Sequence, residues 1–271
     1  MVIEGTVPSV SFEALGTTCR LLGVGAAAAR LAAGAEWVVE MGGRLTRFDA
    51  GSELSRFNAS AGGWADVAPC LETLLREALW AWEVSGGLVH AGCLRSMRAI
   101  GYTRPLREGL TVALEAAPGP LPPLPEVLEV RPGRARLAAG TGIDLGGLAK
   151  GWLADRLVER LGDNALADVG GDLAARGAGP IGEGWPIGFG GESIALHDGA
   201  AAMSGTWRNR WGRVPHLIDP RTGRPAETDL AEVEVLARTG LEAEVLAKTA
   251  LLLGSIAAPE FLAAHAVGWA I

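Results

Sequence analysis

Cysteine is scarce in this chain of 271 residues: Cys19, Cys70 and Cys93 lie far apart and match no zinc or iron–sulfur spacing. An odd, scattered set excludes a disulfide framework and reads as free, buried thiols in a reducing compartment. Basic charge is short as well. With 24 Lys and Arg against 31 Asp and Glu, the net charge of −7 excludes nucleic acid as the main partner, because binding a phosphate backbone needs clustered cations. No uninterrupted apolar run reaches membrane-spanning length, and Glu4 and Glu13 interrupt a start that has no signal-peptide core. The expectation is a cytoplasmic protein with no membrane segment. The Walker spacing Gly-x-x-x-x-Gly-Lys-Ser/Thr and the Gly-x-Gly-x-x-Gly fingerprint are both missing, so a P-loop and a Rossmann dinucleotide fold are set aside.

What is present is apolar: 49% hydrophobic residues against 20% charged, enough for a sizeable core. The length suits one domain over 1–271, either undivided or as two intimate lobes joined near 118–125, where Pro-Gly-Pro-Leu-Pro-Pro-Leu-Pro forms a stiff surface connector. A strand over 9–22 is interrupted at Gly16-Thr17-Thr18. Apolar residues at helical spacing predict helices over 26–41 and 69–84, the second opened by Pro69 and stopped by Gly86-Gly87. Pro132-Gly133 predicts a hairpin between 126–130 and 134–138. Short strands follow near 165–169, 173–176, 185–189, 193–196, 200–204, 214–218 and 232–237, with closing helices over 241–253 and 259–266. Helices and hairpins intermix without regular alternation, which predicts an α+β fold.

The most informative segment is Asp144-Leu-Gly-Gly-Leu-Ala-Lys-Gly, a glycine turn with one lysine at the start of an amphipathic helix. Unpaired amides and a partial positive charge gather at a helix start, glycines let a ligand approach, and Lys150 adds a full charge. Either this is an anion site, most naturally for phosphate, or a glycine-rich cap followed by a surface lysine. Phe48-Asp-Ala-Gly-Ser-Glu-Leu-Ser-Arg-Phe-Asn58 reads as an Asx turn leading into a capped short helix, or as a polar loop facing a ligand. Gly170-Gly171-Asp172 follows an apolar strand as a tight turn. His216-Leu-Ile-Asp-Pro-Arg-Thr-Gly places a histidine at a strand end beside a turn, where functional side chains gather.

Together these pieces resemble the ApbE family, the FAD:protein FMN transferases. The likeness is collinear from about Phe12 to Gly254. It is carried by Leu15-Gly-Thr-Thr18, Ser52-Glu-Leu-Ser-Arg-Phe-Asn58, the 144–151 turn, Gly170-Gly-Asp172, Ser204-Gly205 and His216-Leu-Ile-Asp-Pro-Arg-Thr-Gly223. The resemblance implies an ApbE-like fold of mixed sheets and packed helices that binds FAD as substrate. It implies cleavage of the pyrophosphate and attachment of FMN through a phosphoester to Thr or Ser of an acceptor flavoprotein. Two other outcomes stay open: an FAD pyrophosphatase releasing FMN and AMP, and a non-catalytic flavin-binding or scaffold protein. By resemblance Leu15 and Phe48 line the flavin or adenine pocket, where the family usually has Met and Tyr. Leu88, Val89, His90, Gly146, Lys150, Trp152, Asp172 and Ser204 are further FAD contacts. His216 is the general base that assists the attacking hydroxyl, and Asp219 and Thr222 fix its turn. Mg²⁺ would be held by the Ala149 carbonyl and Glu244.

Two departures stand out. Where the family usually carries Phe-Asp-Pro-Thr-Val, this chain has Val89-His-Ala-Gly-Cys93, so an acid has become His90. Where it typically has Asp-x-x-x-Thr for Mg²⁺, this chain has Glu244-Val-Leu-Ala-Lys248. A carboxylate can ligate a hard cation, but an ammonium only donates. Glu244 and Lys248 are four apart on one helix face, so they form either a solvated ion pair or a site in which the ammonium takes the metal's place. Thr249 points about 100° away and is a poor substitute ligand.

Overall fold

Antiparallel hairpins build the centre of the molecule. The computed structural model describes residues 7–105, 108, 109, 111, 119–206, 210, 211, 214, 215 and 217–271. In chain order it has β1 (Ser9–Ala14), β2 (Thr17–Gly23), α1 (Ala28–Leu45), α2 (Glu53–Ala59), β3 (Trp64–Asp66) and α3 (Pro69–Val84). A 3-10 turn (Ala91–Cys93), α4 (Leu94–Ala99), α5 (Leu124–Val127), β4 (Leu128–Arg131), β5 (Arg134–Leu137) and α6 (Ala149–Leu161) follow. Next come β6 (Ala165–Val169), β7 (Asp172–Arg176), β8 (Trp185–Phe189), β9 (Glu192–Leu196), β10 (Gly199–Gly205), β11 (Arg210–Trp211) and β12 (Val214–Pro215). The chain closes with β13 (Ile218–Asp219), β14 (Arg224–Pro225), β15 (Glu232–Ala237), α7 (Gly240–His265) and β16 (Gly268–Ala270).

The main sheet has seven strands in the order β1-β2-β6-β7-β10-β15-β16. Its pairs are antiparallel, with Cys19 opposite Val169, Val169 opposite Asp172 and Ala201 opposite Leu173. Helices segregated on an antiparallel sheet make the fold α+β, as expected. α1 and α6 cover β2, β6 and β7 through Leu31, Val38, Leu157 and Leu161, while α7 covers β10 and β15 through Leu246, Ala250 and Leu251. The opposite face is sealed by the β8–β9 hairpin, whose Trp185 and Ile187 pack on Leu166, Ala175 and Ala201. A second hydrophobic cluster joins α1, α2 and α3 to the small β3-β5-β4 sheet and to Ile143, Leu145 and Leu148, just ahead of α6.

Local chemistry explains most boundaries. α3 starts at Pro69, whose missing N–H is harmless at the first helical position, and ends before Gly86 and Gly87, with φ of 60° and 89°. Ser52 caps α2 by accepting from Ser55 N at 3.0 Å, and Asp49 makes the expected Asx turn to Gly51 N at 2.8 Å. Two differences from the sequence reading have local causes. The expected strand over 126–130 begins only at Leu128, because Leu124 is fully buried and starts the one-turn α5. The two closing helices are present but abut within α7, because the break falls at Gly254, where φ is 78° and Ser255 N turns to Asp229 Oδ1 at 2.9 Å, so the second starts ahead of Pro259. Of the expected connector over 118–125, Pro118 lies outside the described residues.

By length and mean hydropathy (1.5 over its most apolar stretch) α7 is, among the described residues, the one helix able to cross a membrane. Here it serves as the core helix under β10 and β15, and it carries the buried Glu244.

Candidate active site

The turns at one end of the main sheet bring several of the sequence motifs together. β1 and β2 are joined by Leu15-Gly16, and β6 and β7 by Gly170-Gly171, both two-residue hairpin turns. Such turns need positive φ at both positions, which glycine tolerates and leucine resists. Leu15 has φ of 55°, the one non-glycine in the left-handed region among the described residues. Gly170 has φ of 68°, and a Cβ there would lie 2.4 Å from Thr17 Cγ2, so the two turns are pressed together. Residues held this way tend to cluster at functional sites.

Asp172 opens β7 beside this turn and bonds Lys150 Nζ. Lys150 also lies 3.8 Å from Glu244 Oε1, and Lys248 Nζ donates to that same oxygen at 2.9 Å. The second Glu244 oxygen accepts from the Gly151 amide at 3.0 Å. Two carboxylates and two ammoniums thus alternate in a chain, Asp172–Lys150–Glu244–Lys248, where α6, α7 and β7 meet. It is not a solvated surface pair: Asp172 and Glu244 side chains are 2% and 1% exposed, Lys150 and Lys248 27% and 14%. Burial alone would raise Glu244, but Lys248, Lys150 and the Gly151 amide hold it below the ordinary carboxylate value. Burial and the facing Glu244 push Asp172 up to about 6 against the pull of Lys150. For Lys150 the neighbouring carboxylates outweigh burial, so its pKa rises and it stays an ammonium.

The glycine turn is supported from behind. Asp144 Oδ1 accepts from Gly146 N at 3.0 Å, and its other oxygen takes Arg47 Nε at 2.7 Å. The Arg47 guanidinium lies 4.3 Å from the Phe48 ring centre and 4.2 Å from that of Tyr102. Asn58 clamps the preceding residue, with Ile143 N donating to Oδ1 at 2.7 Å and Nδ2 donating to Ile143 O at 2.9 Å. So the Ser52–Asn58 motif serves as a scaffold for the turn. The sequence predicted an amide-lined entrance to α6, and the structure narrows it. Leu148 and Ala149 amides return to Leu145 O, and those of Gly146 and Gly151 go to carboxylates. The Gly147 and Lys150 amides remain without an acceptor among the described residues.

Other expected contacts are placed as follows. Trp152, two residues beyond Lys150 and roughly 200° round the helix, turns to a different groove. There its ring centre is 6.3 Å from that of Trp37, with Met41, Arg44, Cys70 and Arg156 nearby. Phe48 is partly exposed and stacks at an angle on Tyr102. Leu88 packs with Ala226 and Leu252, and Val89 joins the α1–α3 core. Ser204 is buried on β10. Ala149 is buried as the first residue of α6, and Thr249 spends its hydroxyl on Val245 O at 2.7 Å. His216 lies outside the described residues. The turn after it is built as expected: Asp219 accepts from Arg221 Nε and Nη2, and its carbonyl accepts from Thr222 N and Gly223 N. The cysteines are unpaired, and burial pushes the Cys19 thiol up to about 11 and Cys93 up to about 12.

His90 has both ring nitrogens engaged within the chain. Nε2–H donates to Pro122 O at 2.9 Å, and Nδ1 accepts from Gly92 N at 3.0 Å. The ring thereby ties the 88–93 loop to residue 122. Burial holds the ring below its ordinary 6.5. The unfolded chain therefore takes up the proton first on acidification. The stabilisation is complete above 6.5 and is lost as pH falls through the lower folded value. His90→Asn keeps an acceptor for Gly92 but cannot titrate. Between about pH 7.5 and about pH 5, the melting temperature of the parent should fall relative to that of His90→Asn; parallel curves would rule this linkage out.

A metal fits this cluster poorly. Three of the four oxygens of Asp172 and Glu244 already accept from N–H donors, and the residue facing Glu244 is itself a cation. Among the described residues no three His, Cys, Asp or Glu side chains converge as a metal site. Lys248 had a sequence signal that motif reading passes over. Of 24 basic residues only Lys150 and Lys248 are lysine, and every other is arginine.

The ApbE family profile matches residues 14–270. The chain is 32% identical over 245 residues to the FAD:protein FMN transferase of Treponema pallidum, covering 75% of this chain and 65% of that protein. It is 33% identical over 135 residues to the Escherichia coli K12 protein of the same name, covering 44% and 38%. These matches therefore span between about two fifths and two thirds of the relatives' own lengths. Among solved structures, apo flavinyl transferase ApbE of Pseudomonas stutzeri superposes with a TM-score of 0.80 at 22% identity, covering 97% of this chain and 91% of that one. The ApbE protein of Thermotoga maritima gives 0.82 at 23% identity, covering 96% and 93%. With a profile match over nearly its whole length and a shared fold, the chain belongs to the ApbE family.

Proposed function

We propose that this chain is an FAD:protein FMN transferase: it binds FAD and moves the FMN moiety onto a Thr or Ser hydroxyl of an acceptor flavoprotein. The observation that carries the reading is the pair of half-buried ammoniums, Lys150 and Lys248, beside the glycine turn at the start of α6. Phosphoryl transfer depends on positioning and on stabilising charge, which two preorganised cations in a partly buried setting supply. The acceptor oxygen bonds to the FMN phosphorus, and the bond from that phosphorus to the bridging oxygen breaks. AMP departs with that oxygen and its negative charge. His216 takes the hydroxyl proton. Asp172 keeps Lys150 charged and aimed. Two largely buried, unpaired thiols support a cytoplasmic setting, which recovery of the chain from a secreted or periplasmic fraction would disprove.

Purified protein incubated with FAD and a candidate acceptor, followed by mass spectrometry of the acceptor, tests the reading. The expected result is acceptor carrying FMN, with a loss of about 100-fold or more in His216→Ala while FAD still binds. Free FMN without acceptor modification would make the chain a pyrophosphatase. FAD bound but unchanged would make it a binding protein.

A further inference from the structure

We propose that Lys248 is a resident counter-cation of the diphosphate site, so that FAD binds here without a divalent metal. The inference rests on the FMN-transfer reading and specifies how the substrate is held. Four observations converge on it. Both Glu244 oxygens and one of Asp172 are already engaged, and the Asp172–Lys150–Glu244–Lys248 chain balances two positive charges against two negative ones and requires no ion to be buried. The Lys248 stem lies against the glycine turn: a Cβ on Gly147 would sit 3.3 Å from Lys248 Cε, so the ammonium arm runs close over that backbone. Each ammonium carries three N–H donors and spends one on a carboxylate, and both side chains keep partial access to solvent. The remaining donors, with the free amides of Gly147 and Lys150, form one anion-binding surface. Finally, in a chain that otherwise uses arginine for every cation, both lysines meet at a single glutamate oxygen. An ammonium is a compact point charge with rotatable donors, whereas a guanidinium is a wide planar fork, so this position selects lysine for its shape.

FAD titration followed by flavin fluorescence, with Mg²⁺ and with EDTA, tests the inference together with Lys248→Thr. The parent should bind FAD with the same affinity in both media. Lys248→Thr should bind about tenfold or more weakly in EDTA, the loss of one charge-assisted contact, and recover when Mg²⁺ is added, because Glu244 is then free to ligate. A parent that loses about tenfold in EDTA, or a variant unaffected by EDTA and as tight as the parent, would overturn it. The parent arm decides even if the variant does not fold. If the parent takes up no FAD in either medium, the FMN-transfer reading fails, and the same titrations with inorganic pyrophosphate judge Lys248 separately. Metal-independent binding weakened in Lys248→Thr upholds it, and absent or EDTA-sensitive binding ends it.

Discussion

Gly151→Ala is expected to lower the melting temperature sharply and to abolish FAD binding. At an exposed helical position the same change would stabilise by about 1 kcal/mol. Here the new methyl would lie 2.3 Å from Gly240 O and 2.6 Å from its carbonyl carbon. Those are backbone atoms, so no rotamer change relieves the overlap, and α7 must move away from α6. The reverse contact is equally tight: a Cβ on Gly240 would lie 2.7 Å from Gly151 O. Asp155, one turn along α6, accepts from Gly240 N at 2.6 Å and Leu241 N at 3.1 Å, so the start of α7 is held at that distance by hydrogen bonds as well. Overpacking of this kind costs about 1–3 kcal/mol beyond any helical gain, and for a domain of this size each kcal/mol is about 2–4 °C. A fall of roughly 2–12 °C is expected by calorimetry. The function should suffer more than the stability. Displacing α7 by a fraction of an ångström separates Glu244 from the Gly151 amide and Lys248 from the glycine turn. A variant that melts at or above the parent temperature, with FAD affinity intact, would show that the helix crossing does not set the site.

That crossing also shows where the sequence was legible. Gly151 was visible as the last residue of the Lys150 turn and read as room for a ligand. The structure makes it the seat of a helix–helix contact whose partner is 89 residues away. Local signals were reliable because local physics produces them: Pro69 and Gly86-Gly87 bound α3, Pro132-Gly133 turns the β4–β5 hairpin, and Gly170-Gly171 turns β6 into β7. The i,i+4 spacing of Glu244 and Lys248 gave their ion pair correctly. It could not give their burial, which depends on β7 and α6 closing over them. Elements of a few residues, such as β3 and β16, carry no readable period and exist only because a neighbouring strand offers a ladder. Of the two readings of Phe48–Asn58, the Asx turn and capped short helix is the one found, and Ser52 and Asn58 spend their polar atoms on backbone, including that of Ile143. Family likeness gathered the motifs, and the long-range contacts decided which side chains lie together beside the glycine turn and which brace it from behind.

Arg47 is the clearest of the supporting residues, and Arg47→Met is the second change expected to have a large effect. Its side chain is 5% exposed and its Nε sits 2.7 Å from Asp144 Oδ2, itself 11% exposed. Removing the guanidinium strands a nearly buried carboxylate, a change that costs about 3–5 kcal/mol in comparable pairs. It also removes the brace behind Gly146, whose amide Asp144 holds. Both stability and FAD affinity should therefore fall. A second substitution separates the two effects. In Arg47→Met/Asp144→Leu no charge is left behind, and replacing both partners by apolar groups is often close to neutral. Arg47 Nη2 is already buried without a partner in the parent, so losing the guanidinium also removes an uncompensated polar atom. The double variant should recover most of the melting temperature, yet bind FAD as poorly as the single one, because leucine cannot accept from Gly146 N. If stability and affinity return together, the pair is structural filler, and the glycine turn is ordered by Asn58 and the start of α6 alone.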